Sequence, residues 1–370
     1  MRKKEADFQA GETPPRGRRG RGALSNADGR FEPYARDAFD DGWGSLDAEP
    51  APITTTVSLD TTRTIICRND SPDIPFTQSI NPYRGCEHGC IYCYARPSHA
   101  YLGLSPGLDF ETKLFAKPEA TRLLENELHK AGYEVSPIAL GANTDPYQPI
   151  ERKYRITRGI LEVLAAHQHP CSIVTKAALI ERDIDILATM AKQRLVQVFV
   201  SVATLNRELA RKLEPRAAAP QRRLETVRAL ARAGIPVGVL TAPVIPALND
   251  AEIETVLEAS RDAGARWAGY VLLRLPHELK DLFKEWLALH APLKAEHVMS
   301  LIRQLRGGRE NDPRFGSRMR GQGELADLIR RRFRLACRRL GLNQESLSLD
   351  TGRFRLPARG GDQLALFSAP

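Results

Sequence analysis

The sequence predicts an α/β protein in which helices cover a parallel sheet. Short apolar, β-branched runs alternate with segments of helical periodicity over most of the 370 residues. About six strand-then-helix units can be counted, a pattern typical of an open parallel sheet or a barrel. No apolar run approaches the roughly 20 residues of a membrane helix, so a membrane-spanning protein of the helical class is excluded.

The N-terminal region, residues 1–60, is rich in Gly, Pro, Asp and Arg and has no hydrophobic periodicity. We therefore predict a disordered or loosely packed tail. Its basic piece, Pro15–Gly22, is either a solvated tail or a contact for RNA or DNA phosphates. No apolar stretch follows the first basic residues, so no secretory signal is predicted and the expected compartment is the cytoplasm.

The predicted core, residues 61–275, holds the six units. Its first strand is the extended stretch before Cys86. The other predicted strands are Ser136–Ala142, Cys171–Thr175, Leu195–Ala203, Ile235–Ala242 and Trp267–Leu273. The helices predicted between them are Glu119–Ala131, Tyr154–His167, Ile180–Lys192, Gln221–Ala233 and Asp250–Ala263.

A C-terminal helical extension is predicted over residues 276–342, followed by a tail over 343–370. Its helices are expected at Glu278–Leu289, Leu293–Leu305 and Glu324–Leu340. The Arg-rich segment, residues 303–340, contains twelve Arg, no Lys and four acidic residues, a balance of +8 in a chain whose net charge is +9. This segment either contacts the phosphates of a nucleic acid or presents a solvated face of arginines.

Three of the six cysteines, Cys86, Cys90 and Cys93, fall within eight residues. A chain without an export signal does not need disulfides, so clustered thiols indicate a metal site. Zinc is disfavoured because no second cysteine pair supplies the remaining ligands. Thiolates spaced by three and then two residues can hold three irons of a [4Fe-4S] cluster and leave the fourth iron open.

Four segments together resemble a known family. The spacing Cys-x3-Cys-x-Tyr-Cys resembles the signature of the radical S-adenosylmethionine (SAM) superfamily. The extended motifs are similar to its spore photoproduct lyase-like, DNA repair photolyase-related branch, and they occupy residues 81–86, 93–96, 144–149 and 214–217. The resemblance covers residues 59–342.

The resemblance implies a partial (β/α)6 barrel of the radical SAM type. Cys86, Cys90 and Cys93 would then hold a [4Fe-4S] cluster whose open iron binds SAM. Reductive cleavage of SAM would give a 5'-deoxyadenosyl radical. It also implies an electron donor such as flavodoxin or ferredoxin.

The resemblance further assigns residues that contact SAM. Asn143, Thr144 and Asp145 stand where related enzymes usually have a Gly-Gly-Glu-like element for the SAM ammonium group. An Asx turn before Pro146 is the alternative for these three residues. Lys176 and Ser201 correspond to a lysine and a serine that contact SAM in lyase-like families; a solvated lysine is the alternative for Lys176.

Two tyrosines and one charged pair complete the expected site. Tyr92, between two cysteines, is placed beside the adenine, and Tyr94 is the candidate catalytic residue, since neighbouring tyrosines pass hydrogen atoms in spore photoproduct lyases. Glu214 and Arg216 would bind ribose or phosphate, or form an ion pair with each other. Cys171 opens its strand at the end away from the reactive face, so we expect a buried residue there rather than a hydrogen donor.

Three functions stay open at this point. The first is radical SAM chemistry on a nucleic acid or nucleotide, which the family and the Arg-rich segment favour. The second is the same chemistry on a protein or small metabolite. The third, a non-enzymatic iron-sulfur protein, would leave the SAM-contact motifs without a role.

Overall fold

The computed structural model describes residues 17, 19–32, 53–346 and 348–357. Two sheets occur in these ranges, one of seven strands and one of three. The strands are β1 (Thr56–Leu59), β2 (Ile66–Arg68), β3 (Gln78–Ile80), β4 (Tyr83–Arg84), β5 (Lys113–Ala116), β6 (Ile138–Leu140), β7 (Cys171–Thr175), β8 (Val196–Ser201), β9 (Val237–Val244) and β10 (Trp267–Leu272).

The larger sheet is the predicted parallel sheet. Its strand order is β10-β9-β8-β7-β6-β3-β2, and the six strands from β10 to β3 all run in the same direction. Only β2 is antiparallel, at one edge. The α/β class is therefore confirmed, and curvature of the sheet into a partial barrel stays a prediction. Because the strands are parallel, their carboxyl ends all lie at one edge, the usual place for a site in such folds.

Strand β6 is shorter than the predicted Ser136–Ala142. Pro137 has no backbone N–H to donate and so cannot join the ladder. At the other end Gly141 has φ +93°, and a Cβ there would lie 2.3 Å from the Val174 carbonyl oxygen. The chain therefore turns out of the sheet at Gly141 and carries residues 143–145 over its carboxyl edge.

Helices connect consecutive parallel strands, as the periodicity predicts. The described α-helices are α1 (Asp109–Thr112), α2 (Ala120–Leu128), α3 (Glu151–Tyr154), α4 (Ile156–Ala166), α5 (Ile184–Lys192), α6 (Arg207–Leu213), α7 (Pro220–Arg232), α8 (Ile253–Asp262), α9 (Leu279–His290), α10 (Ala295–Leu305), α11 (Ser317–Arg320) and α12 (Glu324–Leu340). Helix α6 begins at Asn206, whose side chain accepts hydrogen bonds from the amides of Glu208 and Leu209. None of the described helices is long and apolar enough to cross a bilayer.

The C-terminal helices pack beside the last strand. Helix α12 buries Ile329, Phe333 and Ala336, and the Phe333 ring centroid lies 4.7 Å from that of Tyr270 on β10. Arg306 joins this extension to the sheet, because its guanidinium donates to the carbonyls of Leu272 and Leu273 at the end of β10.

The predicted N-terminal tail is only partly described, since residues 1–16, 18 and 33–52 lie outside the described residues. The N-terminal segment, residues 19–32, packs against the core, with Ala23 and Leu24 buried. Glu111 accepts hydrogen bonds from the amides of Gly22 (3.0 Å) and Ala23 (2.8 Å). The composition of the N-terminal region does not predict this packing, because the packing depends on the Glu111 carboxylate about 90 residues away.

Candidate functional site

The cysteine loop, residues 86–93, lies beside the carboxyl edge of the larger sheet. His88 Nδ1 is 3.4 Å from a carboxylate oxygen of Asp145, which follows β6. The Lys176 ammonium, after β7, is 5.9 Å from the centroid of the Tyr92 ring. The strand order therefore brings the predicted cluster residues and several predicted SAM contacts to one place.

The three thiols of this loop are free and interact with one another. Burial raises the pKa of Cys86, and Asp145, Cys90 and Cys93 raise it further. Burial also raises the pKa of Cys90 to about 12, against the opposing charge of Lys176. The described residues contain no group of three or more His, Cys, Asp and Glu side chains already arranged around a metal position. As a donor set, however, three unpaired thiols on one loop fit an iron-sulfur cluster.

Arg96 fixes the backbone of the cysteine loop by hydrogen bonds to its carbonyl groups. Its side chain is fully buried and donates to the carbonyls of Cys90 (2.8 Å) and Gly89 (3.0 Å). It also pairs with the buried Glu111 carboxylate at 2.5 Å. Since Glu111 holds the Gly22 and Ala23 amides as well, one buried ion pair connects the cysteine loop to the N-terminal segment.

The N-terminal segment touches the cysteine loop directly. A Cβ added at Gly22 would lie 1.8 Å from the Gly89 carbonyl oxygen, so only glycine allows this approach. Arg21 donates to the carbonyls of Glu111 and Ile53, so this member of the predicted basic tail binds its own chain. Arg16 and Arg18 of that piece lie outside the described residues.

Two further contacts hold the first half of the cysteine loop. Buried Gln148 accepts from the Glu87 amide (2.9 Å) and donates to the Gly85 carbonyl (3.1 Å). Arg216 pairs with the Glu87 carboxylate at 3.0 Å. The alternative of an ion pair between Glu214 and Arg216 is wrong, because Arg216 pairs with Glu87 and Glu214 pairs with Arg223.

Glu214 instead joins a buried network with Tyr92 and Arg223. The Tyr92 hydroxyl donates to Glu214, and the same carboxylate pairs with the Arg223 guanidinium. Arg223 also donates to the carbonyls of Ala218 (2.7 Å) and Ser201 (2.9 Å). Burial opposes the charge of Glu214, but Arg223 and Lys176 lower its pKa. The network fixes the Tyr92 ring beside Lys176.

The residues predicted to hold the SAM ammonium group differ in availability. Asp145 is fully engaged, since it accepts from the Thr175 hydroxyl and the Lys176 amide, both at 2.7 Å, and from the Tyr147 amide at 2.9 Å. The Thr144 hydroxyl donates to the Tyr83 carbonyl. The Asn143 side chain is exposed. Contact of these three residues with SAM stays a prediction. Among the three, the side chain of Asn143 is the one that no other described side chain or backbone group engages.

The other predicted contacts lie at the same edge. Ser201 ends β8, is buried, and its hydroxyl lies 3.3 Å from the Ala242 carbonyl. Tyr94 is 48% exposed, and its hydroxyl donates to the carbonyl of Ala142. As expected, Cys171 is buried at the amino end of β7, away from this edge.

The Arg-rich segment is partly anchored to the rest of the chain. Half of its twelve arginines bond to their own chain: Arg303, Arg306, Arg314, Arg318, Arg330 and Arg332. The other six are exposed and form no side-chain hydrogen bond or ion pair within the described ranges: Arg309, Arg320, Arg331, Arg334, Arg338 and Arg339. Half of these arginines are therefore held by carbonyls and acidic side chains of the same chain, and the other six are exposed.

The sequence did not single out Arg96, Glu111, Gln148 or Arg223. Arg96 and Gln148 lie inside quoted motifs, so the motifs themselves were the available signal. Burial of Arg223 in the first turn of α7 leaves no such signal, because its partners, the Glu214 carboxylate and the carbonyls of Ala218 and Ser201, meet it only in the fold.

Comparisons with known proteins agree with this arrangement. A family model described as the radical SAM superfamily matches residues 80–259. An uncharacterised protein of Mycobacterium tuberculosis is 38% identical over 233 residues, which cover 62% of this chain and 68% of that protein. An uncharacterised protein of Methanocaldococcus jannaschii is 27% identical over 173 residues, covering 47% and 62%.

Two similar solved structures are forms of spore photoproduct lyase. One is complexed with a dinucleoside spore photoproduct and has a TM-score of 0.57 at 16% identity. The other, a double mutant with bound AdoMet and the same dinucleoside, has a TM-score of 0.55 at 15% identity. Each similarity covers 77% of this chain and 80% of the other. At such identity the likeness concerns the fold.

Proposed function

Because the chain belongs to the radical SAM superfamily, we propose that it holds a [4Fe-4S] cluster on Cys86, Cys90 and Cys93 and cleaves SAM reductively. Membership of the superfamily supports an enzyme. The observation that carries the finer proposal is the cysteine loop itself: three free thiols on a short loop, fixed from several sides at the carboxyl edge of a parallel sheet. When bound and reduced, such a cluster supplies the electron that splits SAM into methionine and a 5'-deoxyadenosyl radical.

The residues around the cysteine loop have the charges that SAM requires. Burial opposes ionisation of Lys176, but Cys90 and Glu214 raise its pKa, so it stays a cation suited to the SAM carboxylate. The exposed Asn143 amide can accept from the SAM ammonium group. Tyr92, held by Glu214, offers a flat face for the adenine.

The remaining predicted residues have distinct proposed roles. Thr144 holds the segment that carries Asn143, through its bond to the Tyr83 carbonyl. Asp145 positions Lys176 by accepting from its backbone amide. Ser201 connects Arg223 to the strand end and borders the SAM site. Tyr94, half exposed beside Cys93, is the proposed catalytic residue that faces the substrate.

We also propose a nucleic acid or nucleotide as substrate. The six exposed arginines without partners in the described ranges support a phosphate-bearing ligand. The lyase structures of similar fold contain a dinucleoside ligand, which makes a nucleotide-sized substrate the closest analogy. The alternative substrate is a protein or small metabolite.

The direct test is SAM cleavage by the anaerobically reconstituted protein. With dithionite as the reductant, we expect 5'-deoxyadenosine and methionine from the wild type and from Cys171→Ala, whose thiol is buried away from the site. Cys90→Ala should reduce both products to the level of a blank. Product formation by Cys90→Ala equal to that of Cys171→Ala would refute the assignment of the cysteine loop.

A further inference from the structure

Arg274 is a partly buried cation that forms no ion pair within the described residues. It follows β10 by two residues, so its side chain lies at the same edge as the cysteine loop. Its Nε atom is buried without a hydrogen-bond partner, and its only hydrogen bond within the described ranges is a weak one from Nη1 to the Met319 sulfur at 3.5 Å. No carboxylate of the described chain lies within ion-pair distance of it. Burying an unpaired charge is costly, so such a group is usually matched by a partner.

Neighbouring arginines increase the positive charge around Arg274. Burial and the charge of Arg318 lower the pKa of Arg274, and the Asp73 carboxylate, which pairs with Arg318 and not with Arg274, opposes them only in part. Arg306 also lies close, since burial and then the charge of Arg274 lower the pKa of Arg306 to about 10.

These two neighbours are satisfied by the chain itself. Arg306 donates to four carbonyls, those of Leu272, Leu273, Ser317 and Arg318. Arg318 makes two hydrogen bonds to the Asp73 carboxylate, one of 2.7 Å. Arg274 alone among the three lacks an internal acceptor of this quality.

Two exposed aromatic rings lie against these guanidinium groups. The Arg274 guanidinium carbon is 5.6 Å from the centroid of the Tyr94 ring. The Arg318 guanidinium carbon is 4.7 Å from the centroid of Phe315, which is 58% exposed. Exposed aromatic rings next to cations are the usual surface for a base and its phosphate.

We propose that Arg274 binds a phosphate group of the substrate, with the Tyr94 ring beside the attached nucleoside. The proposal rests on the proposed function for the identity of the substrate, and it adds the group that positions it next to Cys93. A guanidinium fork matches phosphate oxygens with two hydrogen bonds, which would satisfy the buried Nε. The phosphate could belong to a free nucleotide or to a nucleic acid strand, and these two sources share the same chemistry.

The test compares two ligands that differ only in the phosphate. Binding of thymidine 5'-monophosphate and of thymidine to the reconstituted full chain is measured by calorimetry, without SAM or reductant. We expect the wild type to bind the monophosphate about tenfold more tightly than thymidine. Arg274→Met should remove this difference, Arg274→Lys should retain part of it, and Arg232→Met, an exposed residue remote in sequence, should leave it unchanged.

A labelled single-stranded oligothymidylate distinguishes the two sources of phosphate. If its affinity falls in Arg274→Met and not in Arg232→Met, the phosphate belongs to a strand. If only the monophosphate depends on Arg274, the substrate is a free nucleotide. Equal affinity of the wild type for thymidine and its monophosphate, or an Arg274→Met variant that retains the difference, would overturn the proposal.

Thermal unfolding separates a ligand site from a structural role. Arg274→Met should melt at the wild-type temperature or above it, because an uncompensated charge is removed. Arg306→Met should melt several degrees lower, because four carbonyls lose their donor. A similar fall in Arg274→Met would mark a structural residue and contradict the proposal. None of these measurements needs SAM cleavage, so the proposal can fail while the proposed function holds, and the reverse.

Discussion

The cysteine loop and the end of β10 lie at the same edge of the sheet, but they differ in whether their buried arginines form ion pairs. At the cysteine loop the two buried arginines that hold the backbone are both paired: Arg96 has Glu111, and Arg223 has Glu214. At the end of β10, Arg274 has no such partner within the described residues. Both regions also differ in exposure, since Arg96 is fully buried and Arg274 is only partly so.

This difference separates structure from recognition. Polar groups that are satisfied by the chain hold a backbone in place, because leaving either partner alone would expose a buried charge to an apolar surrounding. A group that the chain leaves unsatisfied is available to a ligand. The cysteine loop is thus positioned before any cofactor arrives, whereas the end of β10 is completed by what binds there.

The largest effect is expected from Arg96→Met. The substitution removes the donors for the Gly89 and Cys90 carbonyls and leaves the Glu111 carboxylate buried and unpaired. We expect the free energy of unfolding to fall by about 3–5 kcal/mol. Urea denaturation measures it, with Arg232→Met as the exposed control. A change below about 1 kcal/mol would break the contrast between the two regions.

The next effect is expected from Glu214→Gln. The amide keeps the shape but leaves the buried Arg223 guanidinium without a negative partner and weakens the bond from Tyr92. We expect a loss of about 2–3 kcal/mol in the free energy of unfolding. Glu208→Gln serves as the matched control, because the exposed Glu208 carboxylate pairs with Lys212 one turn along the same helix. Equal losses in the two variants would contradict the structural role of Glu214.

A smaller effect is expected from Gly22→Ala. The added methyl group would meet the Gly89 carbonyl at 1.8 Å, so the N-terminal segment must move away from the cysteine loop. We expect a loss of about 1–3 kcal/mol, the usual cost of overpacking. Gly352→Ala is the control, since its nearest neighbour would be 3.5 Å away. An unchanged melting temperature would show that the contact does not hold the cysteine loop.

The smallest effect is expected from Arg332→Gln on α12. Arg332 pairs with Glu254 at 2.6 Å, but both side chains are about one third exposed. Such pairs contribute at most about 1 kcal/mol. Urea denaturation of this variant gives the free energy of unfolding with which the other variants are compared. A loss above about 2 kcal/mol would show that the contribution of these ion pairs does not follow their exposure.

The sequence predicts the elements better than their long-range contacts. β7 and α12 begin and end at the residues predicted, because an alternating apolar run and a pair of flanking glycines mark their ends locally. The small sheet of β1, β4 and β5 was not predicted, because strands of two to four residues show little periodicity and β1 finds its partner β5 more than 50 residues away.

The candidate site shows the same division. The cysteine spacing reveals the donor set, since the ligands are local in sequence. The burial of Arg96 and the lack of an ion pair at Arg274 cannot be predicted from residue types. An arginine in the sequence gives no sign of whether its side chain will be buried or paired. Their partners, or the lack of one, depend on carbonyl oxygens and carboxylates brought together only by the fold.

The most direct test of the account is the iron and sulfide content of the anaerobically reconstituted chain. We expect about four irons and four sulfides per chain for the wild type and for Cys171→Ala, with a broad absorption band that dithionite bleaches. Cys90→Ala should lose most of both. Iron and sulfide bound equally by Cys90→Ala and the wild type would contradict the claim that the cysteine loop holds the cluster.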